Sequence, residues 1–578
     1  MLATRACYCR TASIPCRSLA RFSSQLNFCP CACFRGFHLT PSARPDNETL
    51  FRSSSRWLCN DDLQRKVRCA PFNPDALEQI ACDAVGAERC ISWTRIGEGS
   101  FNRIFLLRFD SGAEAVVRIP LPVIGNVQRA VASEVATMCY IRERWITNRS
   151  RNVPLPPKVL AWHSSYKNPA QTPYMILEYA PGIALYRRWP AIEGKMAGAA
   201  LQSIFELEWA LLRQVFSHHG SLYFAEDTLD SDECSRPLYV HDDCDPAEVN
   251  RKLAAKYRIG PTANREWGRP GYGDVDADRG PWPDLQTMIK SAAEFQLRAM
   301  DTVVDFSSPH IKLKPSDIPL LRRLLDTCIL IAPLIIPSNP AMTAPVLNHP
   351  DLSLNNLIVP PDGLAYVHHV IDWQGATVSP FCMQCGVPPA IQYTEGVIPI
   401  PDDGSMPPWP NNLDKMSPSE QEYIHIQHRY ACRHRGYALR IPSMDPLRGG
   451  VWALPHSTVL ECLVPFITRC VSDGPLDLRG LLVSLQECWS KIADGPCPID
   501  FTQAEIAAHC EEVEAQSQYE RNVNKLHDTI GCLNDGSVRE DQLEGAKKKM
   551  ERCRQQWDER AMKGPFPFYE GAHSYYLT

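Results

Sequence analysis

The sequence lacks the features that would assign it to several broad classes of protein. No apolar run approaches the roughly 20 residues of a membrane-spanning helix, and the longest candidate, residues 329–336, is interrupted by Pro333. An excess of positive charge is also missing, because 60 lysines and arginines against 66 aspartates and glutamates give a net charge of −6. We therefore predict no transmembrane segment and no nucleic-acid partner.

Acidic residues are absent from the first 45 positions, where six arginines and no lysine occur. An arginine-rich, serine-bearing segment without acids is typical of a mitochondrial presequence, since the membrane potential draws a basic amphipathic helix inward. We predict a cleavable presequence within residues 1–60 and a mitochondrial location. The alternative is an unstructured tail whose composition has no targeting role.

Cysteine is abundant, with 24 residues in 578. In a small secreted protein this number would predict a disulfide framework. Here the cysteines are scattered along a long chain without an apolar signal core, so we predict mostly reduced, buried thiols. Cys29, Cys31 and Cys33 could bind a soft metal, but no second Cys/His pair follows at zinc spacing.

The pattern of apolar residues predicts two lobes. Asn73, Pro74 and Gly86 mark the two ends of a helix, and strands follow at residues 90–96, 101–109, 114–119 and 174–179, with a helix over 127–144. After residue 181 helices dominate, at residues 194–219, 283–304, 315–331, 418–440, 456–470 and 476–493. We therefore predict an α+β fold, with a small β-sheet N-lobe at 74–181 and a large helical C-lobe at 182–500.

Two charged segments accompany these lobes. Residues 226–248 carry nine acids against one arginine, which favours a solvated surface insertion over a metal or partner site. Residues 501–578 form a charged extension, in which residues 502–562 predict a helical hairpin that turns near Gly536.

The candidate chemistry lies in the segment from His349 to Asp372. Asp351 follows His349 by two residues and Asn356 follows Asp351 by five, between apolar runs. Kinase-type transfer uses an aspartate that accepts the proton of the acceptor hydroxyl, together with an asparagine oxygen that binds Mg²⁺. Asp372 follows a predicted strand over 365–371, so a tight turn would bring it to Asn356 as a second magnesium ligand. The alternative is a structural His-Asp pair and an unrelated aspartate.

These motifs resemble those of the aminoglycoside phosphotransferase and choline kinase superfamily. Shorter strings, such as Gly99-Ser-Phe-Asn102 and Ile371-Asp-Trp-Gln374, are similar to a fungal mitochondrial branch, the altered inheritance of mitochondria protein nine group. The resemblance covers about residues 74–500 and implies a two-lobed, protein-kinase-like fold that uses ATP and Mg²⁺. It also implies that Asp351 is the catalytic base, while His349 braces the catalytic loop.

The resemblance assigns a nucleotide-binding role to residues of the N-lobe. The turn with Gly97, Gly99 and Ser100 would approach the phosphates, although a plain hairpin turn fits the same residues. Arg118 stands where the superfamily usually has its phosphate-binding lysine, and Glu134 is its candidate partner. The segment with Glu178 and Ala180 looks like the hinge, whose backbone would meet an adenine.

Arg118 leaves more than one function open. Arginine keeps the positive charge but is longer and bulkier than lysine, so the chain could be a slow kinase, a kinase with altered nucleotide geometry, or a nucleotide-binding pseudokinase that acts as a scaffold in mitochondrial maintenance. We expect an enzyme, because a scaffold has no physical need for Asp351, Asn356 and Asp372 together. The sequence identifies neither the acceptor substrate nor the oligomeric state.

Overall fold

The computed structural model describes residues 44–147, 153–227, 236–240, 248–269, 272–273, 275–302, 313–394 and 396–568. The predicted presequence up to residue 43, including Cys29, Cys31 and Cys33, lies outside the described residues, and so does most of the acidic stretch 226–248.

Both helices and strands are numbered here in chain order. The strands are β1 (Ser55–Trp57), β2 (Cys90–Glu98), β3 (Asn102–Phe109), β4 (Glu114–Pro120), β5 (Val159–His163), β6 (Tyr174–Glu178), β7 (Ile183–Ala184), β8 (Ser221–Phe224), β9 (Arg236–Pro237), β10 (Tyr257–Gly260), β11 (Pro345–Asn348), β12 (Leu357–Val359), β13 (His369–Val370), β14 (Thr377–Pro380) and β15 (Ser537–Arg539). The helices are α1 (Asn47–Phe51), α2 (Asp61–Val67), α3 (Pro74–Val85), α4 (Val127–Thr147), α5 (Gly194–Leu212), α6 (Glu248–Lys256), α7 (Leu285–Thr302), α8 (Ile318–Ile335), α9 (Pro418–Met444), α10 (Pro446–Trp452), α11 (Ser457–Asp473), α12 (Leu476–Cys488), α13 (Gln503–Ile530) and α14 (Leu543–Gln556).

The N-lobe is an antiparallel sheet in the order β2-β3-β4-β6-β5, with α3 and α4 beside it. Helix α3 begins and ends as predicted, since the Asn73 side chain accepts from the Ala76 amide and Gly86 has φ +69°. Strand β5 was not predicted from the sequence. Trp93 and Phe105 lie 5.7 Å apart between ring centroids in the lobe's core.

The C-lobe is mainly helical, and α7, α8, α11 and α12 share one buried cluster. The prediction of a helix over 194–219 is wrong after Leu212. Residues beyond Leu212 form bridges with other strands instead, Val215 with Val346 and Gly220 with Val378. These contacts place the chain against β11 and β14. The two-lobed α+β fold that the sequence predicts is confirmed.

Strands β11 to β14 form the platform under the candidate site. Strand β11 pairs with β14, and β12 lies between β7 and β13. The predicted strand over 365–371 is shorter than expected, because only His369 and Val370 pair with β12. Residues just before His369 instead bind the segment at Leu155, whose amide donates to the carbonyl of His368 over 3.3 Å.

The segment 44–72, called here the strap, lies against the N-lobe and pairs with the C-terminal extension. Leu50 of α1 and Phe72 are buried in the N-lobe core, and β1 pairs antiparallel with β15 from the extension. The predicted boundary at residue 60 therefore lies inside ordered structure, since Trp57 in β1 is buried. The predicted helical hairpin corresponds to α13 and α14, with β15 between them next to Gly536.

Two further expectations concern membranes and cysteines. Within the described residues, no single helix is long and apolar enough to cross a bilayer, and one pair of helices, α10 and α11, meets that test only together and with a bend of 78°. The 16 cysteines within the described residues, from Cys59 to Cys553, are all free thiols. Six of them are fully buried and the rest are half-buried.

Candidate functional site

His349 braces the loop that follows β11. Its Nδ1 accepts a hydrogen bond from the Asp351 amide at 3.2 Å, and its Nε2 lies 3.1 Å from the carbonyl oxygen of Ile371. One neutral tautomer, protonated at Nε2, satisfies both contacts. Burial lowers the pKa of His349 to about 4, so the ring stays neutral near pH 7. Its geometry fits the bracing role expected from the sequence.

Asp351 combines one bonded and one unbonded carboxylate oxygen. Its Oδ2 accepts from Asn356 Nδ2 at 2.9 Å and from the Ser353 hydroxyl at 3.3 Å. Its Oδ1 is buried without a hydrogen-bond partner among the described residues. Burial, assisted by the charge of Asp372, raises the pKa of Asp351 to about 7. A carboxylate with such a pKa is suited to accept a proton near neutral pH.

Asn356 and Asp372 are brought together by the pairing of β12 with β13. The Ile371 amide donates to the Asn356 carbonyl at 3.0 Å, immediately before Asp372. The Asn356 side-chain nitrogen donates to Asp351, which leaves its amide oxygen as the atom able to bind a cation. Asp372 has φ +66°, a conformation that non-glycine residues adopt at a cost, and its side chain is 37% exposed.

This donor set fits Mg²⁺, which prefers hard oxygen ligands and is usually held by one or two protein groups plus phosphates. Within the described residues no group of three or more His, Cys, Asp or Glu side chains could hold a metal by itself. An oxygen from Asn356 and a carboxylate from Asp372 would therefore need phosphate oxygens to complete the coordination.

Arg118 connects β4 of the N-lobe to Asp372, a candidate metal ligand. Arg118 lies on β4, and its Nη1 is 2.5 Å from Glu134 Oε1. Its Nη2 is 2.6 Å from Asp372 Oδ1 and 2.9 Å from Gln374 Oε1. Burial raises the pKa of Glu134 to about 7, and the guanidinium of Arg118 opposes that shift. The length of arginine lets one side chain reach both lobes.

Gln374 and Asn102 were not predicted to be functional residues. Gln374 Oε1 accepts from Asn102 Nδ2 at 2.6 Å as well as from Arg118. This contact joins the glycine-rich turn to the segment that carries Asp372. The sequence did offer one indication of their role, because Asn102 and Gln374 end the two short strings that resemble the fungal branch.

The glycine-rich turn connects β2 to β3. The Gly99 amide donates to the Asn102 carbonyl at 2.9 Å, and a Cβ added at Gly99 would meet nothing within 4 Å. Gly97 belongs to β2 itself, whereas Ser100 is exposed. There is thus open space in front of the turn, as a phosphate-binding loop requires, although a plain hairpin would have it too.

Glu178 and Ala180 lie apart from this group of residues. The Glu178 carboxylate accepts from the Lys158 amide at 2.7 Å and from Arg142 at 3.0 Å, so its side chain holds the sheet edge together. Ala180 follows β6 and is half-buried. The proposed contact of the hinge backbone with adenine remains a prediction.

A cavity of about 1080 Å³ opens beside the catalytic loop. Its lining includes His349, Asp351, Asp372 and Gln374 from the C-lobe, and Ser100 from the turn. Arg265 also lines it and lies over the ring of Phe101, 4.6 Å from the centroid. Its volume is at the upper end of the about 300–1,000 Å³ typical of small-molecule sites. The structure therefore brings His349, Asp351 and Asp372 to one cavity, while Asn356 is not among the lining residues.

Comparison with known proteins supplies relatives but no matching family model. The chain is 26% identical over 492 residues to a subtelomeric hrmA-associated cluster protein of Aspergillus fumigatus, over 79% of this chain and 91% of that protein. It is 24% identical over 540 residues to altered inheritance of mitochondria protein 9, mitochondrial, of Candida tropicalis, over 82% of this chain and 83% of that protein. Among solved structures, aminoglycoside phosphotransferase APH(4)-Ia is 16% identical, with a TM-score of 0.35 over 74% of this chain and 100% of that one. The predicted resemblance to the fungal group is confirmed by relatives that carry its name.

Proposed function

We propose that this protein is a kinase-like phosphotransferase that moves the γ-phosphoryl group of ATP to a hydroxyl group of a small-molecule acceptor. The observation that carries the proposal is that Asp351 and Asp372 line one cavity while Asn356 is hydrogen-bonded to Asp351. Asp351 accepts from Asn356 through Oδ2, while Oδ1 is buried without a hydrogen-bond partner among the described residues, so Oδ1 keeps acceptor capacity that the hydroxyl group of a bound acceptor would use.

Asp351 would orient the acceptor hydroxyl and take its proton. The acceptor oxygen forms a bond to the γ-phosphorus while the bond from that phosphorus to the bridging oxygen breaks, and ADP leaves with that electron pair. His349 keeps the loop in place through the Asp351 amide. Arg118 supplies positive charge near the phosphates, anchored by Glu134.

Asn356 and Asp372 would hold Mg²⁺. When bound, this ion would neutralise phosphate charge. The experiment that tests the assignment is calorimetric titration of ATP with and without Mg²⁺ into wild-type protein and Asp372→Ala. We expect Mg²⁺-dependent binding in the wild type and its loss in the variant. The exposed Asp362 offers Asp362→Ala as the matched control, and equal Mg²⁺-dependent binding in all three proteins would contradict the assignment.

The second candidate function is a non-catalytic nucleotide-binding scaffold. One observation favours it, because Arg118 already occupies one oxygen of the metal-binding Asp372. In a scaffold the ion pair between Arg118 and Asp372 could stay in place, whereas in an enzyme Asp372 must be able to bind the metal.

We further propose that the chain is mitochondrial and carries its presequence within residues 1–43, ahead of the ordered strap. The support is the arginine-rich, acid-free composition there together with relatives named as mitochondrial proteins. Residues 1–43 fused to a fluorescent protein should reach mitochondria, and the same fusion with its arginines changed to alanine should not. A diffuse signal from the first fusion would contradict the proposal.

A further inference from the structure

Helix α13 spans the space between the two lobes. Its first turn is fixed by a capping box of Thr502 and Glu505, and Arg479 of α12 donates to His509 Nδ1 at 3.0 Å. With 28 residues and about 1.5 Å per residue, the helix is long enough to cross from one lobe to the other. One end of α13 is therefore attached to the C-lobe.

The other end is attached to the strap and, through it, to the N-lobe. Leu526 and Ile530 pack in one cluster with Leu58 of the strap, and β15 pairs with β1 along Trp57. The strap itself is held by the fully buried Arg103 of β3, which donates to the carbonyl oxygens of Leu50 in α1 and of Arg68 just after α2. These contacts hold the helix across the side of the cleft.

The middle of α13 faces the cavity that Asp351 lines. The cavity-lining residues recur at the spacing of one helix face and are Gln516, Tyr519, Glu520, Val523, Asn524, His527 and Asp528. The buried positions of α13 lie only toward its ends, at His509, Leu526, His527 and Ile530. A helix face that packs on a protein core is normally apolar, whereas this one is mainly polar. Its composition fits a wall around a polar ligand.

His527 adds a second observation. It is 4% exposed, it lines the cavity, and neither ring nitrogen has a hydrogen-bond partner of normal geometry among the described residues. Burial lowers the pKa of His527, with the Asn534 side chain acting in the opposite direction. Because its hydrogen bond with Asn534 falls outside normal geometry, His527 keeps bonding capacity that a ligand in the cavity would use.

We propose that α13 is the far wall of the acceptor site, and that its polar face selects a polar small molecule that carries a hydroxyl group. This inference rests on the proposed phosphotransferase function. A wall formed by the chain's own helix limits the acceptor to what the cavity can contain, which favours a small molecule over a folded protein. Asn524 and His527 are specificity-determining residues in this arrangement, while Asp351 remains the base.

The test uses the full chain, radiolabelled ATP with Mg²⁺, and a protein-free small-molecule extract of yeast as the source of acceptors. Asn524 is an exposed residue on the cavity side, and Asn524→Trp fills the cavity without removing a core residue. Its neighbour Lys525 is exposed and lies outside the lining, so Lys525→Trp is the matched control. Calorimetry with Mg²⁺ and ATP, and the melting temperature, are measured for each protein.

We expect the wild type and Lys525→Trp to transfer label to a small molecule, and Asn524→Trp to lose at least about tenfold of that transfer with unchanged ATP affinity and melting temperature. Transfer by Asn524→Trp at the wild-type rate would overturn this inference and leave the phosphotransferase proposal intact. No transfer by the wild type under any of these conditions would contradict the phosphotransferase proposal, and this inference with it.

Discussion

The Nη2 atom of Arg118 lies 2.6 Å from Oδ1 of Asp372, although the two residues are 254 positions apart in the chain. This contact joins the phosphate-binding candidate of the N-lobe directly to the metal-binding candidate of the C-lobe. A guanidinium can contact Glu134, Asp372 and Gln374 at once because its donors form a planar fork, which the single ammonium of lysine lacks. The site is built around arginine.

Arg118→Lys should therefore weaken nucleotide binding. A lysine at this position cannot keep all three contacts, so we expect the affinity for ATP with Mg²⁺ to fall about tenfold, measured by calorimetry. Arg108 of β3 is another N-lobe arginine, paired with Glu114 at 2.8 Å away from the cavity. Arg108→Lys is the matched control and should leave ATP affinity unchanged. If Arg118→Lys binds ATP with Mg²⁺ as tightly as the wild type or more tightly, the site does not depend on arginine, and lysine can replace it.

The contact between Asn102 and Gln374 should couple the glycine-rich turn to the metal-binding segment. A double-mutant cycle with Asn102→Ala and Gln374→Ala should give a coupling free energy of about 1 kcal/mol in ATP binding, since the two side chains share a hydrogen bond. Turnover should respond through KM for ATP more than through kcat. Strict additivity of the two variants would show that the contact does not position the turn.

The buried carboxyl group of Asp351 should lower the free energy of unfolding at neutral pH. Its folded-state pKa of about 7 lies above the ordinary value of 3.8, so the folded protein holds a proton that the unfolded chain releases. The stability due to this proton is present at low pH and is lost as the pH rises toward 7. Asp351→Asn removes the titration, and we expect it to be more stable than the wild type at pH 8 by about 1–4 kcal/mol.

The same difference in the free energy of unfolding between Asp351→Asn and wild type is measured at pH 4. It should be smaller there, because the wild-type carboxyl is protonated. Chemical unfolding followed by circular dichroism measures both values. Asp362→Asn, at an exposed position, should show no such pH-dependent difference. A constant difference between Asp351→Asn and wild type from pH 4 to pH 8 would contradict the raised pKa.

The sequence predicted the parts of the site that depend on local pattern. Asp351 and Asn356 are five residues apart on one loop, and the strand signals on either side were strong enough to place them together with Asp372. The helix from Pro74 to Val85 was predicted to its exact ends, because Asn73 and Gly86 are specific capping residues.

What the sequence did not predict depends on contacts between distant segments. Asn102 and Gln374 are 272 positions apart, and β1 pairs with β15 across most of the chain. A pattern of two or three residues cannot specify such a pairing, since many strands of that length would fit. The polar face of α13 reads from sequence as a solvated helix surface, and only its position beside Asp351 gives it a different meaning.

The central claim is that Asp351 serves as the base in phosphoryl transfer. The most direct test is the rate of ADP release from ATP and Mg²⁺ by Asp351→Asn in the presence of the yeast small-molecule extract, with calorimetric ATP affinity measured on the same sample. We predict ATP affinity close to that of the wild type and a rate lower by about 10²–10⁴, the usual cost of removing a general base. A rate equal to that of the wild type, in a variant that binds ATP normally, would contradict the claim.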